Sequence, residues 1–566
     1  MNTASVYQTI HHLFKKRRRR TLYFGAVLCL LYIIIRFFST DYLVTVPVQG
    51  GSFSEAMVGY PRFINPVLAQ TPTDKDLVQL IFSGLLTQDL QGQYVPDLAE
   101  SVQITENGTE YIVTLDPTYT FHDGTPVTAD DVLFTYELAQ DPLMKSPLYS
   151  RLLETNIEVI SDNIVKFTVP ENQTNFEENL TIGIMQQSQW RDISIEEFAF
   201  AEQNISPIGS GPYEIDSTSR DTGQKITSFT LNAFRKNNHV PYINTISLKF
   251  YSTQRDSLQA FEMGTVDNFG NISAQELLSL DRSLEKENIQ TQPLSRVFAL
   301  FFNQEANPVL QDNLVRSVIS GLISRQAVID SVFFTRAQIA DGPLPKNHPY
   351  YVSSETSGSI SAAQATTKLT ADGWEPNANG VLIKKTATSS EDLSFTISVP
   401  DVTELVKSAQ AVSSILSEAG IEAIVDIVPE KDFTTQVIRK RNFESVLFGQ
   451  IVENPEQLFG FWHSSGVEDP GVNIAGYKNT TVDNILERLL ENTQDEEKRI
   501  QDYASLQKQI RSDAPAVFLF TPFFIYATDE KIKQNALQNV SFSSDRFEYI
   551  SDWYIKTESL LPFFTK

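Results

Sequence analysis

Few residues in this chain have the types and spacings needed for covalent or metal chemistry. Four histidines follow residue 40: His122, His239, His348 and His463. None has a second metal-ligating residue four positions away. Neither an HExxH pattern nor a Cys/His cluster occurs, so a zinc-hydrolase site is not encoded. Cys29 is the single cysteine and lies in an apolar N-terminal stretch. That position excludes a disulfide within the chain and thiol chemistry in its main body. Gly209-Ser210-Gly211 lacks the spacing of a nucleophile elbow, and no P-loop or GxGxxG is present. The paired acids Asp130-Asp131 and Glu177-Glu178 are expected as helix caps or solvated faces in a chain with 70 Asp/Glu. A hydrolase built on acidic residues would show slow turnover of a glycoside or peptide, lost in Glu453→Ala. The residues give no positive reason to expect an enzyme, a metal or a resident cofactor.

The elements that must position any site are bounded by composition. At 566 residues the chain is too long for one core, and two or three subdomains are expected. A hydrophobic content of 41% with 20% charged residues excludes a disordered chain. The 37 Phe and 20 Tyr suffice for large cores and an aromatic-lined cleft. Residues 1–40 hold seven of the 45 Lys/Arg and no Asp/Glu; the remainder sets 38 basic against 70 acidic side chains, a net of −32. Nucleic-acid binding needs Lys and Arg to displace counterions, so that class is excluded. An anionic membrane surface would repel such a body. The charge serves solubility and weakly favours cationic ligands.

Local signals are clear around residues 111–139. Tyr111-Ile112-Val113-Thr114-Leu115 alternates like a strand, and Asp123-Gly124 marks a turn. Thr128 stands three residues before Asp131, the spacing of a capping box. Val132, Leu133, Tyr136 and Ala139 then form the buried stripe of a helix. The His and Asp residues of this unit read as structural.

The run Phe121-His122-Asp123-Gly124-Thr125-Pro126 through Tyr136 resembles a signature of the extracellular solute-binding proteins of family 5. These are the oligopeptide, dipeptide and nickel receptors of ABC importers. Other segments resemble the family in its order: Phe63-Ile64-Asn65-Pro66-Val67-Leu68, Leu80 to Leu85, Pro96 to Ser101, and Pro207-Ile208-Gly209-Ser210-Gly211-Pro212-Tyr213. Met263-Gly264-Thr265-Val266-Asp267, Asp312 to Arg316 with Ile323-Ser324-Arg325, Asn473 to Tyr477, and Asp513 to Val517 follow. The resemblance covers nearly everything from Val46 onward. It implies an α/β fold of the two-lobed periplasmic-binding-protein type II class. Such a fold has mixed sheets, an extra subdomain in the first lobe, two crossings between lobes and the ligand between them. Closure would remove the ligand from water and strengthen its polar contacts. The nickel branch is disfavoured by the scarcity of histidine, although His463 falls near the expected cleft.

At the N-terminus, Lys15-Lys16-Arg17-Arg18-Arg19-Arg20 precedes the apolar run Leu22 to Ile35, broken by Arg36 before Phe37-Phe38. Counting Thr21 to Ser39 gives nearly the length of a spanning helix if Arg36 snorkels. A cleaved signal peptide and an uncleaved anchor compete. No small-x-small cleavage site follows, and Leu28 before Cys29 does not suit a lipoprotein signal, so the anchor is favoured. Its basic flank places the N-terminus in the cytoplasm and the acidic body outside the plasma membrane.

The expected organisation is a basic cytoplasmic segment (1–20), a transmembrane anchor (21–39), and a first lobe (41–295) with an inserted subdomain near 85–204. A second lobe (296–520) and a return to the first lobe (521–566) complete it. Tyr42 to Val46 reads as the first strand. Val159 to Val169 reads as a hairpin around Asp162-Asn163, and Ile226 to Asn232 and Phe298 to Asn303 as strands. Ser408 to Ala419 reads as a helix stopped by Gly420, followed by the strand Ile421 to Val428. Asp483 to Asn492 and Lys498 to Arg511 read as helices, and Ser353 to Ser361 as a mobile surface loop.

In the family's peptide-binding branch, a cleft carboxylate pairs with the peptide's amino terminus. The resemblance places its counterpart in Ser445 to Pro455, where the usual Asp is absent and Glu453 is the nearest acid. Glu453 is either that partner or a loop carboxylate. The backbone of Phe448 to Val452 could add a peptide as an extra strand, independent of side chains. The expected ligand-contacting set is Glu453, Gln450, Phe448, Asn454, Trp462, Tyr60, Phe63 and Ile64. Trp462 either stacks on ligand or fills the core beneath the cleft. Tyr60, Phe63 and Ile64 either touch ligand or pack between lobes. The sequence reading is therefore a monomeric, membrane-anchored receptor that passes a peptide-like solute to ABC permease subunits. A receptor of the same fold that senses or scavenges solute for a signalling partner is the alternative.

Overall fold

The computed structural model describes residues 22–33, 36, 43–90, 92–105, 108–170, 176–237, 240–279, 288–353, 360–385, 390–452, 455–468, 471–490, 495–538 and 540–560. Its centre is a strand of 13 residues, Ala516–Thr528, whose sequence AVFLFTPFFIYAT is largely apolar because both of its faces are buried. The strands used below are β1 (Val44–Val48), β2 (Ser52–Val58), β3 (Tyr213–Arg220), β4 (Ile226–Ala233), β5 (Thr245–Tyr251), β6 (Asn268–Gly270), β7 (Asn288–Pro293) and β8 (Arg296–Phe302). In the second half of the chain they are β9 (Ser394–Pro400), β10 (Glu422–Val428), β11 (Ser445–Ile451), β12 (Ala516–Thr528) and β13 (Lys556–Leu560).

Strand β12 takes part in four ladders, two of which join the lobes. Its first part pairs antiparallel with β8, from Ala516 opposite Phe301 to Phe520 opposite Phe298. Its last part pairs with β7, from Phe523 opposite Pro293 to Thr528 opposite Asn288. Pro522 falls between these two stretches and stands opposite Ala337 of the short strand Ala337–Ile339. The resulting mixed sheet runs β10-β9-β11-β8-β12-β6-β2-β5-β4-β3. Its β10-to-β8 half belongs to the second lobe, and its β6-to-β3 half to the first. The chain crosses between lobes twice, once from β7 to β8 and once along β12. Leu294 N–H donates to Pro522 O at 3.1 Å, tying the crossings together.

The core is divided accordingly. One cluster joins Phe53, Leu77, Tyr136, Phe229 and Leu248 with the returning residues Tyr526, Phe547 and Trp553. A small cluster around Phe261 and Phe269 lies near β6. Two clusters lie on opposite faces of the second-lobe sheet: Leu300, Phe302 and Leu447 face one, and Val297, Phe301 and Val446 face the other. That alternation follows from the period-2 pleat of β8 and β11.

A separate four-stranded antiparallel sheet is built from Ala99–Ile104, Glu110–Leu115, Ile164–Thr168 and Asn156–Ser161. Beside it the helix Ala129–Gln140 opens at the anticipated cap, with Asp131 Oδ2 accepting from Thr128 N–H (2.9 Å) and hydroxyl (2.7 Å). The hairpin at Asp162-Asn163 forms as expected. The helix expected at Ser408 to Ala419 starts earlier, at Thr403, and Gly420 follows it with φ of +78°. The first strand lies two residues later than expected, at Val44–Val48.

Residues 22–33 are helical, and Leu22, Phe24, Leu28, Leu30, Leu31 and Ile33 are exposed on it. No helix among the described residues is long and apolar enough to cross a membrane. The rest of the expected anchor, its basic flank and the core of the Ser353–Ser361 stretch lie outside the described residues.

Candidate functional site

The two crossings converge on the end of β11. This strand pairs with β8 along its whole length, from Ser445 opposite Phe302 to Ile451 opposite Arg296. Its other edge meets β9 only at Ser445 and Val446. Among the described residues, Leu447 to Ile451 have no strand neighbour on that side. An unfilled edge presents backbone donors and acceptors to any extended chain. Gly449 lies mid-edge. A Cβ there would fall 2.8 Å from Phe298 Cε1 and 3.0 Å from Arg296 Cδ, so both side chains use the space that glycine leaves. Val452 N–H donates to Ser295 O at 3.3 Å, which fixes the strand's end to the hinge.

Phe448 is half-buried, with its ring 6.3 Å from that of Phe433. Gln450, expected among the ligand contacts, is shielded from solvent. It is fully buried, and its Nε2 donates to Pro343 O at 2.6 Å, tying β11 to the 343–345 loop. Trp462, for which ligand stacking and core filling were both open, lies in the core. It is fully buried, packed on Phe301 (centroids 5.9 Å), Phe518 (5.7 Å) and Tyr477 (6.2 Å). Its helix, Pro455–Trp462, turns that face inward, so the indole is a core residue. Glu453 and Asn454 lie outside the described residues.

In the first lobe, Ile64 is fully buried and its N–H donates to Asn204 O at 2.8 Å. It packs in the first-lobe core. Tyr60 and Phe63 are half-buried. Lys225 Nζ lies 3.3 Å from the Tyr60 ring centroid, a cation–π contact. Their loop is held by a residue that the sequence reading missed. Asp74 Oδ1 accepts from Arg62 N–H (2.8 Å) and Phe63 N–H (3.0 Å), and its Oδ2 accepts from the Thr71 hydroxyl (2.7 Å). Thr71 caps the helix Pro72–Ile81. The T-x-x-D spacing was the available signal.

The glycines of Gly209-Ser210-Gly211 serve close packing. A Cβ at 209 would lie 1.9 Å from Ile81 O, and Gly211 N–H donates to that oxygen at 2.8 Å. His122 joins this loop to the Asp123-Gly124 turn. Its Nδ1 accepts from Gly209 N–H (3.3 Å) while Nε2–H donates to Gly211 O (3.1 Å). Burial lowers its pKa to about 4. His348 is also lowered to about 4 by burial, and its Nδ1 accepts from Tyr350 N–H at 3.2 Å. His463 stacks on Phe459 (4.0 Å) and lies 3.5 Å from Glu487 Oε1. His239 lies outside the described residues. Among the described residues no group of three or more His, Cys, Asp or Glu side chains could hold a metal ion. A surface pocket of about 440 Å³ lies at the opposite, Ser445 end of β11, lined by Glu391, Asp392 and Glu444. The Glu444 carboxylate there accepts from Thr396 N–H at 2.6 Å.

Two α/β lobes, a sheet shared through one long strand and an unfilled strand edge beside the crossings define a two-lobed binding protein. Residues 93–469 match the family of bacterial extracellular solute-binding proteins, family 5, and the chain belongs to that family. It is 24% identical to the oligopeptide-binding protein AppA of Bacillus subtilis over 491 residues, 84% of this chain and 87% of the relative. The solved structure of that AppA in complex with a nonapeptide superposes with a TM-score of 0.71 at 22% identity, covering 90% of this chain and 100% of the other. DppA of Helicobacter pylori, in complex with the peptide STSA, gives 0.70 at 20% identity, with 90% and 98% covered.

Proposed function

We propose that this protein is a membrane-anchored, extracytoplasmic receptor that captures peptides or peptide-like solutes by lobe closure and delivers them to an ABC importer. The observation that carries the reading is the unfilled β11 edge from Leu447 to Ile451 at the hinge. An extended peptide laid there gains main-chain hydrogen bonds that do not depend on its sequence. Two structural relatives are described with peptides bound, which supports the same reading. Phe448 lies on that edge strand, Tyr60 and Phe63 would contact ligand from the first-lobe loop, and Glu453 with Asn454 follow the strand in sequence. Capture involves no covalent step, and the receptor acts as a monomer. The exposed apolar helix at 22–33 and the basic run before it support anchoring with the N-terminus in the cytoplasm.

The test is mass spectrometry of whatever co-purifies with the full chain in mild detergent, released by denaturation. A heterogeneous set of short peptides is expected. A single sugar or metal chelate would overturn the peptide assignment and leave the fold untouched.

A further inference from the structure

Lys75 stands on the helix Pro72–Ile81, one residue after the Asp74 that holds the loop carrying Tyr60 and Phe63. It is half-buried, and its Nζ lies 4.0 Å from the centroid of the Phe542 ring. Among the described residues, no carboxylate pairs with this ammonium and no acceptor takes its protons. The acids around it are engaged elsewhere. Asp74 accepts from the loop amides and from the Thr71 hydroxyl, and Asp76 pairs with Arg546 at 2.9 Å. Asp545 Oδ2 accepts from the Ser541 and Phe542 N–H groups, at 2.8 Å each. Burial lowers the pKa of Lys75, Asp545 opposes that shift, and the charge of Arg296 lowers it again.

Arg296 comes from the other lobe, at the start of β8. Backbone contacts bring it toward Lys75. Ser295 N–H donates to Val540 O at 3.0 Å, while Ser295 O accepts from Val452 N–H at 3.3 Å. Arg296 and Phe542, whose ring Lys75 covers, thus flank one junction at the end of the unfilled β11 edge. The stem of Arg296 lies against that edge, since its Cδ is 3.0 Å from where a Gly449 Cβ would stand. Two cations, one from each lobe, therefore converge beside the edge, in a main body that sets 38 basic against 70 acidic side chains. Each disfavours the other's charge, and closing the lobes sharpens that repulsion as water leaves. An anion between them reverses the balance and touches both lobes at once. Its gain is greatest in the closed state, so it favours closure.

We propose that Lys75 and Arg296 form a subsite for an anionic side chain of the ligand, so that the receptor prefers peptides carrying Asp or Glu over their amides. The proposal rests on the peptide reading given above and narrows it to acidic peptides. A carboxylate there takes charge-assisted hydrogen bonds from an ammonium and a guanidinium. The β11 edge holds the backbone whatever the sequence. Strand addition and charge selection are then separate contributions, made by different groups.

The experiment measures peptide binding by calorimetry, with the full chain in mild detergent. The probes are alanine pentapeptides with a free amino terminus and an amidated carboxyl end, carrying Glu or Gln at each position in turn. At one position at least, the Glu peptide should bind about tenfold more tightly than its Gln partner. Lys75→Gln and Arg296→Gln should each bring that ratio close to unity, and Lys75→Arg, which keeps the charge, should preserve it. Equal affinities for Glu and Gln at every position, with the peptides bound, would overturn the subsite alone. So would a ratio that is unchanged in folded Lys75→Gln and Arg296→Gln. If the preference is instead for a free-acid over an amidated Gln peptide, and Lys75→Gln removes it, the cations serve the carboxyl end and the side-chain subsite is overturned. Binding of no peptide in either series would overturn the peptide reading and this proposal together.

Discussion

Arg546 and Glu55 meet in an ion pair 2.8 Å long, with side chains only 3% and 0% exposed. The guanidinium also donates to Asp76 at 3.0 and 2.9 Å, and the Tyr526 hydroxyl donates to Glu55 at 2.7 Å. This network fastens the returning segment 543–547 to β2 and to the helix Pro72–Ile81. Removing one partner strands two buried carboxylates. Arg546→Met should therefore cost the first lobe about 3–5 kcal/mol. The pair Lys384–Asp372 is equally short at 2.7 Å but about a third exposed on each side. Lys384→Met should cost at most about 1 kcal/mol. Denaturant unfolding of both variants checks this, and equal losses would show that burial is not what gives the Arg546 network its weight.

Acid should weaken the fold through His122 and His348. Burial lowers both to about 4, from about 6.5 in the unfolded chain. The unfolded chain therefore binds more protons between those values. The stabilisation is fully present above pH 6.5 and is lost as pH falls toward 4, by at most roughly 3 kcal/mol for each ring. Melting temperatures from pH 7 to 4.5 should fall, and His122→Asn should flatten the slope. Buried carboxylates with raised values, such as Asp131 and Asp545, act in the opposite sense. An unchanged slope in His122→Asn would mean that His122 is not the ring responsible.

Trp462 offers a clean separation of stability from binding. Its indole is enclosed by Phe301, Phe518 and Tyr477. Trp462→Ala should destabilise the second lobe by about 3–5 kcal/mol through the cavity it leaves. Affinity for a bound peptide, measured by calorimetry well below the melting point, should stay within about threefold, less than 1 kcal/mol. A large loss of affinity in a folded variant would return the indole to the cleft.

What was legible in the sequence was local. The Thr128–Asp131 cap, the Asp162-Asn163 hairpin and Gly420 after its helix depend on backbone preferences within a few residues. The family motifs marked the glycines at 209 and 211, although only the packing against Ile81 O explains them. Side-chain direction was not legible. Gln450 and Phe448 differ by one pleat from Gly449, and which face meets the cleft depends on β8 and the layers beneath it. That one strand, β12, runs through the expected lobe boundary at 520/521 was not legible, because its partners are far away in sequence. The pairing of β1 with β13 was invisible for the same reason.

The final prediction concerns Glu453, which follows β11 by two residues, where the unfilled edge ends beside Arg296 and Ser295. If its carboxylate receives a peptide's amino terminus, it makes charge-assisted bonds that a neutral amide cannot match. Glu453→Gln should then weaken binding of a pentapeptide with a free amino terminus by about 1.5–3 kcal/mol. The N-acetylated form lacks the cation, so its affinity should be the same for both proteins. The contrast isolates the charge from the backbone ladder, because both peptides can add to the β11 edge. Equal losses for the two peptides would make Glu453 a shaping residue. No loss for either would make it a loop carboxylate and leave capture to the strand edge alone.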